Sequence, residues 1–287
     1  MTILMKAYRF ITKPLRGMGM EKHLLLIKLH NHFVKRLSSE YIDVNGYKMV
    51  AGHEDWLHFQ YYDSYEPMTT KIISKLIKDG DVVVDVGANI GYYTLLFSRL
   101  VGKNGVVYAF EPGPTNFEFL EKNIELNGYK NIVAEKKAVS DTAGIIKLYM
   151  HETNPGGHTI KNAYENLKSI DVESITLQNY FSDKKICFIK VDVEGAEDLV
   201  LKGAGRIIDG NVGIVMEFNT DIMLANNTDF RKLFKDLSIK GYVFTGINEK
   251  ERSILKMNEG DINALNITHK GKTLNVLCLK DMALRKQ

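Results

Sequence analysis

The run Val82-Val83-Val84-Asp85-Val86-Gly87-Ala88-Asn89-Ile90-Gly91 decides how the rest of the chain is read. A β-branched apolar stretch of strand length ends in a loop bounded by two glycines. Residues 92–100 then continue as a helix. Gly87 and Gly91 let the backbone turn tightly and approach a bound group closely. The start of the helix presents unpaired N–H groups and a partial positive charge.

Outward from this unit the same alternation recurs. Val106–Phe110 is a strand and Thr115–Asn127 a helix stopped by Gly128. Ile132–Ala138 is strand-like, and extra strands at 145–150 and 172–177 flank a loop at 153–168. Strand Ile186–Val191, helix Ala196–Lys202, strand Val212–Phe218 and helix Phe230–Ile239 follow. Strands near 242–246 and 274–279 close the series. Strands alternating with helices predict a mostly parallel sheet covered on both faces. In such sheets ligands bind beyond the carboxyl ends of the strands.

Those ends carry the informative residues. The first loop lacks the Gly-x4-Gly-Lys-Ser/Thr of a phosphate loop. It also lacks the middle glycine of Gly-x-Gly-x-x-Gly, having Asn89 instead. Asp85 would repel a pyrophosphate and suits a ligand with a cationic amine beside a carboxylate, such as a methionine moiety. Glu111, in Phe110-Glu111-Pro112, stands 24 residues after Gly87, where an acid can accept both hydroxyls of a ribose. Ser140 and Asp141 end the third strand, on the side of an adenine ring. In Lys190-Val191-Asp192-Val193-Glu194-Gly195-Ala196-Glu197 the charged residues alternate, so Lys190, Asp192 and Glu194 share one side. A buried Lys190 would need a carboxylate partner. Glu217 adds a further acid at the end of the fifth strand.

The order and spacing of these stretches, with Asn123-x3-Asn127 and the upstream Tyr65-Glu66-Pro67, resemble the FkbM-type family of S-adenosylmethionine-dependent methyltransferases over about residues 60–220. The resemblance implies a Rossmann-like class I methyltransferase fold of α/β class. Its sheet has seven mostly parallel strands, one terminal strand antiparallel, and helices on both faces. It also implies O-methylation of a sugar, polyketide or other small-molecule hydroxyl. By position, Asp85, Gly87, Asn89 and Gly91 would hold the methionine part of S-adenosylmethionine, and Glu66 would also belong to the cofactor site. Glu111 would take the ribose, Ser140 and Asp141 the adenine side, and Asp192 the region around the amino group and acceptor.

A hydroxyl acceptor needs a base or a metal. His158, in Asn154-Pro155-Gly156-Gly157-His158-Thr159, is the candidate base, since histidine titrates in the useful range. The alternative is Mg²⁺ on Asp192, Glu194 and Glu217, whose hard oxygen ligands suit it. His53 and His58 are spaced five apart and do not make the zinc His-Glu-x-x-His pattern. Trp56, with Phe59, Tyr61 and Tyr62, is read as core packing or a cap on the cofactor cleft. Two other readings stay open: an NAD(P)-linked oxidoreductase, and a catalytically silent S-adenosylmethionine-binding module.

Composition sets the boundaries. The chain has 287 residues, 45% hydrophobic and 25% charged, which excludes collagen-like and disordered classes. Its +3 net charge is unevenly divided. Residues 1–40 carry eight basic and two acidic side chains, +6, leaving −3 on the other 247. Leu25, Leu29, Phe33 and Leu37 recur at helical spacing there. Residues 1–45 are therefore expected to form a basic helical extension and residues 46–287 the methyltransferase domain. The extension is a candidate contact for a membrane surface or a second copy of the chain. With the basic charge confined to it, no nucleic-acid partner is expected. Two cysteines, Cys187 and Cys278, each in an apolar run, point to a reducing compartment. With no signal-peptide or spanning pattern, the expected location is cytoplasmic, with peripheral membrane contact open to the extension.

Overall fold

A computed structural model describes residues 41–50, 65–151, 155–162, 167–182, 184–226, 228–257 and 273–280. Of the basic helical extension expected over residues 1–45, residues 1–40 lie outside them, as do His53, His58 and Trp56. The chain divides into two compact units, Met1–Tyr65 and Glu66–Gln287.

In the first unit, β1 (Ile42–Val44) and β2 (Tyr47–Met49) pair antiparallel around Asn45-Gly46. Both turn residues have positive φ (54° and 82°), the twist that suits a two-residue hairpin. The Gly46 N–H donates to Asp43 Oδ1 at 3.0 Å.

The second unit is built on β3 (Val82–Val86), β4 (Val106–Phe110), β5 (Ile132–Glu135), β9 (Phe188–Val191), β10 (Gly213–Asn219), β11 (Tyr242–Asn248), β12 (Ser253–Met257) and β13 (Thr273–Lys280). They form one sheet in the order β12-β11-β13-β10-β9-β3-β4-β5. From β10 to β5 all pairings are parallel; β13, β11 and β12 pair antiparallel. The strand order reverses between β3 and β9, and so the cleft that such a reversal opens lies there. The expected seven strands are present and carry an eighth, β12, on the antiparallel edge. Its Ile254 and Leu255 are exposed, so no alternation of apolar and polar residues announces it.

Helices α1 (Pro67–Leu76), α2 (Tyr92–Val101), α3 (Pro114–Asn127), α4 (Leu177–Tyr180), α5 (Glu197–Ala204), α6 (Thr220–Ala225) and α7 (Phe230–Ile239) complete the unit. One face of the sheet packs Val84, Val86, Phe110, Ile189 and Met216 with Val200 of α5 and Phe234 of α7. On the other, Ala109 packs with Leu120 of α3. Burial on both faces explains why these strands read as continuous apolar runs. Helix α3 ends as its sequence predicts. Gly128 is left-handed, and its N–H reaches the carbonyls of Ile124 and Glu125.

A second sheet, in the order β6-β8-β7, contains β6 (Ala138–Val139), β7 (Gly144–Met150) and β8 (Lys168–Ile175). This corrects one expectation: the third strand does not run through to Ala138. It stops at Glu135, where the Lys137 N–H bonds back to the Glu135 carbonyl at 2.9 Å. Lys137 Nζ also pairs with Glu135 and Glu173, at 3.4 and 3.1 Å. The consecutive lysines break the run, and Ala138–Val139 joins the smaller sheet. Cys278 is buried in the core, whereas Cys187 is partly exposed; both are free thiols. Among the described residues no helix is long and apolar enough to cross a membrane.

Candidate active site

The first loop is shaped by close approach. The N–H groups of Gly87 and Ala88 both donate to the Phe110 carbonyl at 3.0 Å, and Asp192 N donates to Val86 O at 3.0 Å. Gly87 has φ +76°, and a Cβ there would lie 1.8 Å from the Asp192 carbonyl oxygen. Only glycine fits where the ends of β3 and β9 meet. Gly91, at φ +98°, starts α2; a Cβ on it would lie 2.7 Å from Leu120 Cδ1. Between them Asn89 is also left-handed, at φ 50°. Asn123 braces the loop by donating to the Ile90 carbonyl at 2.7 Å, and Asn127 bonds back to the Asn123 carbonyl.

Glu111 is tied to the same loop. Its Oε2 accepts from Asn89 N and its Oε1 from Gly113 N, each at 2.8 Å. The Asn116 side chain also hydrogen-bonds to this carboxylate, which leaves part of its acceptor capacity for a ligand hydroxyl. Burial raises its pKa to about 7, against the pull of the two N–H groups. Asp85 is fully buried. One oxygen accepts from Thr94 Oγ1 at 2.6 Å; the other, Oδ1, has no partner. Asn89 Oδ1 is likewise buried and unpartnered. Two unsatisfied acceptors, one near the end of β3 and one in the loop that follows it, mark a place for a donor or a cation.

Lys190 sits opposite Asp85 in the β3–β9 register and is buried. Its Nζ lies 2.8 Å from Asp192 Oδ2 and 4.8 Å from the Tyr93 ring centre. The Tyr93 hydroxyl donates to Glu66. Burial opposes the charge on Lys190, but Asp192, Asp85 and Glu66 outweigh it and hold its pKa above the usual value. Glu66 and Asp85 shift upward through burial, partly offset by Lys190.

The strand end after β9 turns sharply, with Glu194 at φ 53° and Gly195 at φ 95°. Glu197, 1% exposed, holds the turn from beneath. Its Oε1 accepts from Val193 N at 3.3 Å and Gly195 N at 3.2 Å. Asp192, Glu194 and Glu217 converge, each offering an oxygen within 4.8 Å of the others. Burial, then repulsion from Asp192 and Glu197, raises the pKa of Glu194 to about 8. Burial, then repulsion from Asp192 and Glu194, pushes Glu217 well above its ordinary range.

Other expected residues lie apart. Ser140 and Asp141 follow β6 rather than β5. The Ser140 N–H donates to Ile175 O at 2.9 Å, and Asp141 pairs with Lys202 of α5 at 2.6 Å, which lowers its pKa. No hydrogen bond among the described residues joins either to Asp85, Asn89 or Glu111. His158 lies against Gly113; a Cβ on that glycine would be 3.2 Å from His158 Cδ2. Its Nδ1 accepts from the His151 N–H at 3.1 Å, leaving Nε2 for other work. Burial, then His151, lowers its pKa. Three residues further on, Lys161 Nζ reaches Asp198 at 2.7 Å and Thr228 at 2.6 Å, and Thr228 donates to the Gly195 carbonyl. Segment 158–161 therefore runs from the Glu111 side to the Gly195 turn. The sequence did not mark Tyr93, Thr94, Lys161 or Thr228. Thr94 was in principle accessible, one helical turn into α2 and behind Asp85.

A mostly parallel α/β sheet with a glycine loop at its strand-order switch is the plan of a class I methyltransferase. Residues 85–244 match the family model of the methyltransferase FkbM domain, more than half of the chain, and the chain belongs to that family. It is 28% identical over 147 residues to methyltransferase 1 of Beauveria bassiana, covering 44% of this chain and 59% of that protein. It is 30% identical over 159 residues to the 31-O-demethyl-FK506 methyltransferase FkbM of Streptomyces tacrolimicus, covering 44% and 60%. The chain thus spans about three-fifths of the length of these relatives. Among solved structures, the precorrin-6y C5,15-methyltransferase of Geobacter metallireducens superposes with a TM-score of 0.43 at 13% identity, over 76% of this chain and 89% of that one.

Proposed function

We propose that this chain transfers a methyl group from S-adenosylmethionine to a hydroxyl oxygen of a small-molecule or glycan acceptor. One observation carries the proposal. At the β3–β9 switch, the end of β3 and its loop carry unpartnered buried acceptors (Asp85 Oδ1, Asn89 Oδ1), and the Asp192–Glu194–Glu217 set converges after β9 and β10. Such a site favours a ligand that brings positive charge and donors, as the sulfonium and ammonium of S-adenosylmethionine do. The relative from Streptomyces tacrolimicus carries methylation at an oxygen in its name. Membership of the FkbM family sets the oxidoreductase alternative aside.

S-adenosylmethionine supplies a methyl group already activated on sulfur. The protein's task is alignment and removal of the acceptor's proton. Glu66, Asp85 and Asn89 hold the cationic end of the cofactor, and Glu111 accepts from the ribose hydroxyls. Ser140 and Asp141 remain candidates for the adenine side. Two groups offer a proton acceptor: the Asp192–Glu194–Glu217 set, where Glu194 titrates near 8, and His158 Nε2. The three carboxylates also present the oxygen ligands of a divalent cation, which is the second reading of the same residues. Loss of activity in EDTA, restored by Mg²⁺, would favour it.

The test is incubation with methyl-labelled S-adenosylmethionine and pools of hydroxylated small molecules and glycans. Label in an alkali-stable ether, with stoichiometric S-adenosylhomocysteine, is expected. Tight cofactor binding without transfer to any pool would support the silent binding module instead.

A further inference from the structure

We infer that Glu249, in the turn after β11, is a positioning residue that caps helix α1 from outside and thereby holds Glu66 at the cofactor site. The inference rests on the cofactor role proposed for Glu66.

Helix α1 begins in an unusual way. Its N-cap residue is Glu66, but Glu66 is left-handed, at φ 43° and ψ 63°, and its side chain caps nothing. An N-cap residue normally sits in the extended region and bonds the second or third N–H of its own helix. Pro67 has no N–H to satisfy. The next two N–H groups, of Met68 and Thr69, donate to the two oxygens of Glu249 at 3.0 and 2.6 Å. The fourth, of Thr70, takes the Glu66 carbonyl at 2.8 Å. Every donor at the helix start is satisfied, and a remote carboxylate meets the positive end of the helix dipole.

The capping job that Glu66 would ordinarily do is thus done by Glu249. The Glu66 carboxylate is released to turn toward the Tyr93 hydroxyl, Asn275, Lys190 and Asp192. Asn275, on β13, also donates to Thr69 Oγ1 at 3.1 Å, so the antiparallel edge of the sheet grips the same helix end twice. Left-handed backbone at a non-glycine residue persists only where its surroundings enforce it. With Glu249 gone, Glu66 is free to recap its own helix and leave the site.

The experiment is calorimetric titration of S-adenosylmethionine into the unaltered chain, Glu249→Ala, Glu249→Gln, Glu66→Ala and the double variant Glu66→Ala/Glu249→Ala, with melting curves for each. A lost cap of ordinary strength corresponds to a loss of about fivefold in affinity for Glu249→Ala. Glu249→Gln keeps one acceptor oxygen and should lose about threefold. Should Glu249→Ala not fold, the Gln variant carries the same comparison. The double variant should bind no more weakly than Glu66→Ala alone, because Glu249 acts through Glu66. A folded Glu249→Ala with undiminished affinity, unchanged affinity in Glu66→Ala, or multiplying losses in the double variant would each overturn the inference. No binding by the unaltered chain would instead refute the proposed cofactor, and this role for Glu249 with it.

Discussion

Substituting Gly87 by alanine tests the architecture of the site most directly. The added Cβ would sit 1.8 Å from the Asp192 carbonyl oxygen, and that obstacle is backbone, not a side chain that can swing away. The ends of β3 and β9 must separate by more than an ångström. The shift disturbs two bonds, Asp192 N to Val86 O between β3 and β9, and Gly87 N to Phe110 O, which ties the displaced residue to β4. Losing both costs about 2 kcal/mol. The left-handed backbone adds about 1–2 kcal/mol for any residue with a Cβ. The sum, about 3–4 kcal/mol, corresponds to a fall in Tm of roughly 6–16 °C in a domain of this size. Cofactor affinity should fall by more than tenfold, because Asp85, Asn89 and Asp192 all hang on the displaced backbone. Gly80→Ala is the control: φ there is +86° but nothing lies within 4 Å of the added Cβ. It bears the backbone strain alone, with cofactor affinity unchanged. Calorimetry and thermal melts of both variants decide the matter. If Gly87→Ala melts and binds no worse than Gly80→Ala, close approach is not what glycine provides at this loop.

Three further outcomes are expected. Burial lifts Glu111 and Glu197 from the ordinary 4.5 to about 7, so the folded chain holds their protons more tightly than the unfolded one. The stability of the cofactor-free protein should therefore be fullest below about pH 4.5 as far as these groups contribute, and fall as pH rises through 7, by up to about 3 kcal/mol for each group. Urea unfolding that shows rising stability from pH 5 to 8 would contradict this. Lys190→Met removes the cation shared by Asp192, Asp85 and Glu66 and should destabilise by about 3–5 kcal/mol near pH 8, less near pH 5 where carboxyls can take up protons; equal losses at both pH values would refute that account of Lys190. His158→Ala should abolish methyl transfer with cofactor binding retained if Nε2 is the base; full turnover would leave the Asp192–Glu194–Glu217 set to accept the proton.

What was legible in the sequence is what short-range pattern encodes. Val82–Val86 and Val106–Phe110 are largely apolar runs buried on both faces, and Phe230–Ile239 carries one apolar stripe, so their limits were read residue for residue. The first loop was legible because glycine is required at defined points of a tight turn. Lys190 announced its need for a carboxylate, and Asp192 supplies it. Long-range convergence had no such signal. Nothing in the spacing of Asp192, Glu194 and Glu217 shows that β10 brings its acid beside the β9 turn. Strand β12 is an exposed edge without alternation. The break between β5 and β6 depends on where the Lys137 side chain finds its partners. Glu249 meets α1 through tertiary contact alone.

The density of acid at the carboxyl edge then has a physical rationale. Six carboxyl groups, Glu66, Asp85, Asp192, Glu194, Glu197 and Glu217, gather at this edge, and Lys190 acts on four of them, Glu66, Asp85, Asp192 and Glu194. Most are held above their ordinary pKa, so without a ligand part of their charge is quenched by protons. A ligand carrying a sulfonium and an ammonium changes the balance: positive charge nearby favours the ionised carboxylates. On the proposed function, cofactor binding and the readiness of a carboxylate to take a hydroxyl proton are then one electrostatic event. Lys190 limits its extent. Its Nζ pairs with Asp192, while burial and the repulsion that Asp192 exerts hold Glu194 and Glu217 above their ordinary range.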